Sequence, residues 1–203
     1  MALIYENKIP SSYRSEFANK VVSVSKALDI DPNWLMAIMY FESARTFSPS
    51  IQNPSGATGL IQFMPSTAIG LGTTTTALKN MSAVEQLDYV YKYYLPYKSK
   101  LNNYIDLYLV TFFPAALGKP DNFVIQSSKL SAGLIGRQNP SLDVNKDGVI
   151  QVWEIKKKML NNLPSEWINH ASFSLIARSF KYELLIGGLL ASIGAYLYIK
   201  NKK

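Results

Sequence analysis

The chain contains no cysteine, which excludes a disulfide framework and a thiolate metal site and leaves the redox compartment open. It has one histidine, so a histidine-cluster metal site is also excluded. His170 lies near Trp167 and Phe173 with nothing in the sequence to pair with it, and reads as a surface or junction residue. No segment sustains strict apolar–polar alternation, so no strand is predicted. No lysine- and arginine-rich stripe interleaves with aromatics, which argues against nucleic acid as a partner. The first residues, Met1-Ala2-Leu3-Ile4-Tyr5-Glu6-Asn7, lack a basic start and a long apolar run and do not read as a secretory signal. No internal repeat is visible.

What is present suits one folded domain with extensions. At 203 residues and 48% hydrophobic content, the chain can bury a core and carry extensions. A net charge of +7 favours an anionic partner such as a cell-wall polymer or a membrane surface. Residues 184–199 read LLIGGLLASIGAYLYI without a charge, and Lys200, Lys202 and Lys203 follow. A spanning helix needs about 20 apolar residues, roughly 17 at the low end. Snorkelling lysines and interfacial Tyr196 and Tyr198 make this segment a membrane-anchor candidate. Gly187, Gly188, Ala191, Ser192 and Ala195 would permit helix–helix self-association in lipid. A buried C-terminal helix is the alternative, and Lys181 and Lys200 on either side leave membrane orientation open.

Local signals predict a mostly helical fold. Ser11 or Ser12 would cap a first helix running to about Leu28, with Phe17, Val21, Val24 and Leu28 as its stripe. Asp31-Pro32 starts a second helix that ends at Glu42. Ser48-Pro49, Asn53-Pro54 and Ser55-Gly56 mark a loop over 47–59. A short helix follows Pro65, and 70–76 reads as loop. Ser82-Ala83-Val84-Glu85 is a capping box opening a helix through about Leu95, which Pro96 ends. A further helix covers about Asn103 to Phe113, closed by Pro114. The lysines at 156–158 read as a solvated helix face or a charge cluster beside a membrane.

Glu42 is the candidate catalytic residue. Leu35, Ile38, Met39 and Glu42 fall at i, i+3, i+4 and i+7, which puts a carboxyl on an apolar helix face. Desolvation there disfavours the charged form and keeps the acid protonated to higher pH, as a general acid requires.

Glu42-Ser43, followed by Gly59-Leu60-Ile61-Gln62-Phe63-Met64-Pro65 and Thr67-Ala68, resembles the signature of the soluble lytic transglycosylases, a family related to goose-type lysozymes. The resemblance covers roughly 11–118 and is specific because both blocks occur in order. It implies a lysozyme-like helical domain that cleaves peptidoglycan between N-acetylmuramic acid and N-acetylglucosamine. Glu42 would protonate the glycosidic oxygen and then act as base on the muramyl 6-hydroxyl, giving a 1,6-anhydro product. Two-carboxylate glycosidases divide this work between two residues. The resemblance also implies that Ser43 helps orient the glycan or the reacting centre, that Gln62 and the backbone of 59–64 (Gly59 and Met64 included) line sugar subsites, and that Phe63 stacks on a ring. The family's later Ala-Tyr-Asn-Ala-Gly stretch is replaced here: Phe113-Pro114 stands where tyrosine and asparagine belong. This version resembles a phage-associated branch. Tyr108 is either a stand-in for the missing hydroxyl or a core aromatic. The departure leaves transglycosylation and plain hydrolysis both open.

Asp143-Val144-Asn145-Lys146-Asp147-Gly148-Val149-Ile150-Gln151-Val152-Trp153-Glu154 matches D-x-N-x-D-G-x5-E, the calcium loop of an EF-hand. Asp143, Asn145 and Asp147 would supply side-chain oxygens, Val149 a carbonyl, Gln151 a water-mediated contact and Glu154 a bidentate carboxylate. The exiting helix is expected from Val152 to about Asn161. Gly133, Gly136 and Asn139-Pro140 argue against an entering one, so a reduced helix–loop–helix with a structural calcium ion is expected; a metal-free turn is the alternative. The expected organisation is a lysozyme-like domain over 1–120, an extension over 121–170 and an anchor over 171–203. Lysis of a bacterial wall by a viral enzyme, located in a virion or host membrane, is the expected function. A hydrolytic muramidase and a catalytically idle wall-binding virion protein are the alternatives.

Overall fold

Apolar spacing sets where most helices form, and capping side chains fix several of their starts, in a computed structural model describing residues 2–173. Helix α1 is Arg14–Leu28, with Phe17, Val21, Val24 and Leu28 buried. It begins later than the serines suggest. Tyr13 holds the cap position without a side-chain bond, and the Arg14 guanidinium instead turns back to donate to Ile9 O at 2.8 and 3.0 Å. Helix α2 is Pro32–Glu42, started as expected by Asp31, whose carboxylate accepts Asn33 N at 2.8 Å. Helix α3 is Pro65–Gly70. The expected loop over 70–76 is shorter than the sequence implies, because Thr74 Oγ1 accepts Ala77 N at 3.0 Å and caps α4, Thr75–Asn80.

The Ser82/Glu85 capping box opens α5, Ala83–Tyr94. Pro96 does not stop the chain's winding: Leu95–Lys100 continues as a 3₁₀ helix with proline in its first turn, where no amide donor is missed. Asn103 caps α6, Tyr104–Phe112, and a 3₁₀ turn Pro114–Ala116 follows. Helix α7, Ala132–Gln138, precedes the 143–154 loop, where the glycines argue against a helix. Ser131 caps it, and Gly136 is there for space: a Cβ at that position would lie 2.2 Å from Gly148 O. Helix α8 is Val152–Asn161, as expected. Among the described residues there are no strands, only isolated bridges such as Thr58 with Phe63 and Val124 with Gln151.

The chain divides after Leu163. In the first unit α1 packs on α2 and α5, α2 on α6, and α6 on α8. Leu35, Ile38 and Met39 are fully buried, so the face of α2 that carries Glu42 points inward. Packing of α8 involves an ion pair between Lys156 and Asp121, and Lys157 lies over the Trp153 ring at 5.8 Å. Beyond the division, Ser165–Ile168 forms α9, where Trp167 packs on His170 with ring centroids 4.4 Å apart. His170 Nδ1 lies 3.1 Å from Ser172 Oγ. Among the described residues no helix is long and apolar enough to cross a membrane. The anchor candidate at 184–199 lies outside them.

Candidate active site

A cleft of about 520 Å³ opens at the end of α2, and Glu42 lines it. Its walls come from three places in the chain: the loop carrying Asn53, Ser55, Gln62 and Met64; the end of α6 with Thr111, Phe112 and Phe113; and residues 130–139 with Leu130, Ile135 and Gln138. Among these described lining residues Glu42 is the one carboxyl, and none is basic. Glu42 keeps partial exposure towards the cleft while the surrounding atoms crowd it. That desolvation raises its pKa from 4.5 to about 8, so at neutral pH it holds a proton it can give away.

Several phenols lie within electrostatic reach of the acid. Burial raises the pKa of Tyr93, Tyr94, Tyr104 and Tyr108, and the charge of Glu42 raises each further. They remain protonated donors at any ordinary pH. Tyr93 OH donates to Val110 O at 2.7 Å, and Tyr94 OH lies 2.5 Å from Thr111 Oγ1, which donates to Leu107 O at 2.9 Å. Thr111 therefore sits in the cleft with its hydroxyl fixed by two partners. Tyr108 is buried, stacked on Phe112 with rings 6.1 Å apart and edge-on to Phe41 at 5.7 Å. It packs beside the site and is not a lining residue, whereas Phe113, at the C-cap of α6, is one.

Ser43 is fully buried and is not among the residues lining the cleft. Its Oγ accepts Phe47 N at 2.8 Å, and its carbonyl accepts Thr46 Oγ1 at 2.6 Å. These bonds hold a turn in which Ala44, Arg45 and Phe47 all take left-handed φ values of 50, 66 and 53°. Such backbone costs roughly 1–2 kcal/mol per non-glycine residue. The turn reverses the chain directly after Glu42, which fixes the end of α2 and with it the acid.

The 59–64 block is a folded cradle. Thr58 and Phe63 exchange backbone bonds at 3.0 and 2.9 Å, and Gly59 N donates to Ile51 O at 2.8 Å. Gly59 has φ +81°, and a Cβ there would meet Gln86 Oε1 at 2.2 Å. Gln62 and Met64 reach the cleft, with Gln62 Nε2 donating to Gly59 O at 3.2 Å. Phe63 does not: it is buried, edge-on to Tyr93 at 6.2 Å. Behind the block stands Gln86, fully buried on α5 and overlooked in the sequence. Its Oε1 accepts Leu60 N at 2.7 Å, and its Nε2 donates to Pro49 O at 2.9 Å and Leu78 O at 2.8 Å. A glutamine on an otherwise apolar helix stripe was the available signal. Thr111 had one too, one turn beyond Tyr108 on α6. Leu130 and Gln138 had none.

The 143–154 loop is closed by carboxylate–amide bonds. Asp143 accepts Asp147 N at 3.2 Å and Gly148 N at 2.9 Å. Glu154 is fully buried: Oε1 accepts Val144 N at 2.7 Å and Asn145 N at 3.1 Å, and Oε2 accepts Gln151 N at 2.8 Å. Asn145 Nδ2 donates to Asp147 Oδ2 at 2.9 Å, and Val149 N to Asp147 Oδ1 at 3.0 Å. Gln151 Oε1 accepts the Trp153 indole at 2.6 Å. The donor set is all oxygen, as a hard cation requires. Among the described residues, however, no three histidine, cysteine, aspartate or glutamate side chains gather as a metal cage. The carboxylates serve the loop's own amides.

Compared with known proteins, residues 21–94 match the family model described as Transglycosylase SLT domain. That span contains α2 with Glu42, the 59–64 cradle and α5 with Gln86. No curated protein and no solved structure matches the chain.

Proposed function

We propose that this protein, whose residues 21–94 match the Transglycosylase SLT domain model, is a peptidoglycan lytic transglycosylase. It breaks the β-1,4 bond between N-acetylmuramic acid and N-acetylglucosamine and leaves a 1,6-anhydro muramyl end. The observation that carries the reading is Glu42: the one carboxyl among the described residues lining the cleft, held protonated by its surroundings. It donates its proton to the glycosidic oxygen as the bond to the muramyl anomeric carbon breaks. The carboxylate so formed then takes the proton of the muramyl 6-hydroxyl, whose oxygen closes on that carbon. Proton and electron pairs balance within the glycan, and no water is consumed. A second acid, which a two-carboxylate hydrolase needs to activate water, is not among the lining residues described. Thr111, Gln62 and Phe113 would contact the bound strand, and Ser43 would act by holding Glu42 in place.

Mass spectrometry of digested sacculi tests this. Anhydro-muropeptides that disappear with Glu42→Gln are expected. Reducing ends, each heavier by one water, would make the protein a hydrolytic muramidase. Wall binding without any cleavage would make it a structural wall-binding protein.

Two further readings go with it. Calcium would be held by Asp143, Asn145, Asp147, the Val149 carbonyl and Glu154, with Gln151 through a water, as a structural cross-link that requires Glu154 to exchange amide bonds for the cation. A rise in melting temperature at millimolar calcium, absent with magnesium, supports that reading, and no shift removes it. The charge-free run at 184–199 would anchor the enzyme in a host envelope or an internal virion membrane, consistent with a phage-associated role. Flotation of the full chain with anionic vesicles, lost on ending the chain at Lys181, is the expected result, and unchanged flotation would refute it.

A further inference from the structure

The family match ends at residue 94, yet the cleft does not. Residues 130–139 contribute Leu130, Ile135, Gln138 and Asn139 to its lining, on a segment that the family comparison leaves unassigned. They bring carboxamides and apolar side chains to one wall. Gln138 is exposed, and its carboxamide takes part in no hydrogen bond among the described residues, so donor and acceptor are both available. Asn53, also in the lining, spends its Oδ1 on Ser55 N (2.9 Å) and Ala57 N (3.0 Å), which leaves its amide hydrogens to the cleft. A carboxamide complements an acetamido group, since each presents one N–H and one C=O. Leu130 and Met64 line the same cleft at 40% and 45% exposure and offer apolar contacts to the C–H face of a hexose.

The position of this wall is set from behind. Ile135 is buried and lines the cleft, while the next residue, Gly136, faces the 143–154 loop so closely that a Cβ would lie 2.2 Å from Gly148 O and 2.8 Å from Gly148 C. Both obstructing atoms are backbone, so they cannot rotate away. Helix α7 is therefore pressed between the loop and the cleft, and any displacement at Gly136 moves the lining.

We propose that residues 130–139 form an N-acetyl-sugar-selecting wall of the cleft, with Gln138 and Leu130 as its contact residues and the 143–154 loop as the brace that sets its distance from Glu42. The proposal rests on the transglycosylase reading for its substrate class and adds to it a binding surface outside the matched domain.

Steady-state kinetics on uncrosslinked glycan strands, with melting temperature measured alongside, tests the wall. Gln138→Ala and Leu130→Ala remove exposed groups and should leave the melting temperature unchanged. Each should raise KM about 3- to 10-fold, the worth of one hydrogen bond or a partial apolar contact, with the loss falling in KM and not in kcat. Gly136→Ala touches no sugar and should raise KM at least as much, because it shifts the whole wall. KM values within twofold of wild type for both Gln138→Ala and Leu130→Ala would overturn the proposal and leave the transglycosylase reading intact. Binding of N-acetylglucosamine oligomers to Glu42→Gln, followed by NMR, separates the two claims further. Binding that weakens when Gln138→Ala is added upholds the wall even if the wild type fails to cleave. No binding of oligomers or strands would overturn both.

Discussion

Replacing the Glu42 carboxyl by an amide of the same shape separates its charge from its packing. Desolvation raises its pKa from 4.5 in the free group to about 8 in the fold. Between those values the unfolded chain is ionised at this position while the folded chain keeps the proton. The folded state thus binds more protons, and stability falls as pH rises. The contribution is fully present below 4.5, is lost at about 1.4 kcal/mol per pH unit, and stops changing above about 8. At pH 7 the interval traversed is about 2.5 units, or about 3 kcal/mol at most, and contact with cleft water reduces it towards about 1.5 kcal/mol. Glu42→Gln carries no charge to desolvate. The variant should be more stable than wild type by about 1.5–3 kcal/mol at pH 7, and equal to it within about 0.5 kcal/mol at pH 4. Urea unfolding of both proteins at the two pH values measures this, and the same variant should lose at least about 100-fold in lytic rate. A gain of equal size at both pH values would mean that packing, not ionisation, caused it. A loss at pH 7 would mean that the fold stabilises an ionised Glu42, and the general-acid argument would fall with it.

Three more outcomes follow from the supports of the site. Gln86→Ala strips three hydrogen bonds from the buried junction of Leu60, Pro49 and Leu78, and should lower stability in urea by about 3–5 kcal/mol and disorder the 59–64 cradle in NMR spectra. Ser43→Ala leaves Phe47 N without its acceptor; a loss of about 1–3 kcal/mol is expected, with kcat falling because the turn behind Glu42 loosens. Glu154→Gln puts an amide donor against backbone donors at Val144, Asn145 or Gln151; hydrogen exchange at these amides should accelerate, with a stability loss of about 2–4 kcal/mol.

Much of the site was legible because its signals are local. Asp31-Pro32 specifies where α2 begins, the apolar residues at Leu35, Ile38 and Met39 specify its inward face, and Glu42 follows at the right spacing. The capping box of α5 and the whole extent of α8 were equally plain. Each depends on interactions within a turn or two of helix, which a sequence pattern records directly. Errors arose where a local rule met a distant partner. The glycines of α7 count against a helix by propensity, yet Gly136 is required because the Gly148 backbone lies against it. Ser43, placed by resemblance on the glycan or the reacting centre, turns its hydroxyl into the protein, where it accepts Phe47 N. Phe63, offered as a sugar contact, is buried edge-on to Tyr93, and of the two readings open for Tyr108 the structure shows the core aromatic, stacked on Phe112.

Sequence pattern alone specified a helical chain, an acid at the end of an apolar helix, and two motif blocks that both fall within the residues, 21–94, matching the Transglycosylase SLT domain model. Tertiary structure decided what surrounds that acid. How far its pKa rises depends on the density of atoms that α5, α6 and the 51–64 loop bring around it, and no spacing along the chain encodes that density. The cleft likewise joins Asn53, Thr111 and Gln138 from segments far apart in the chain. Side chains meet there because the helices pack, and packing is a property of the whole fold.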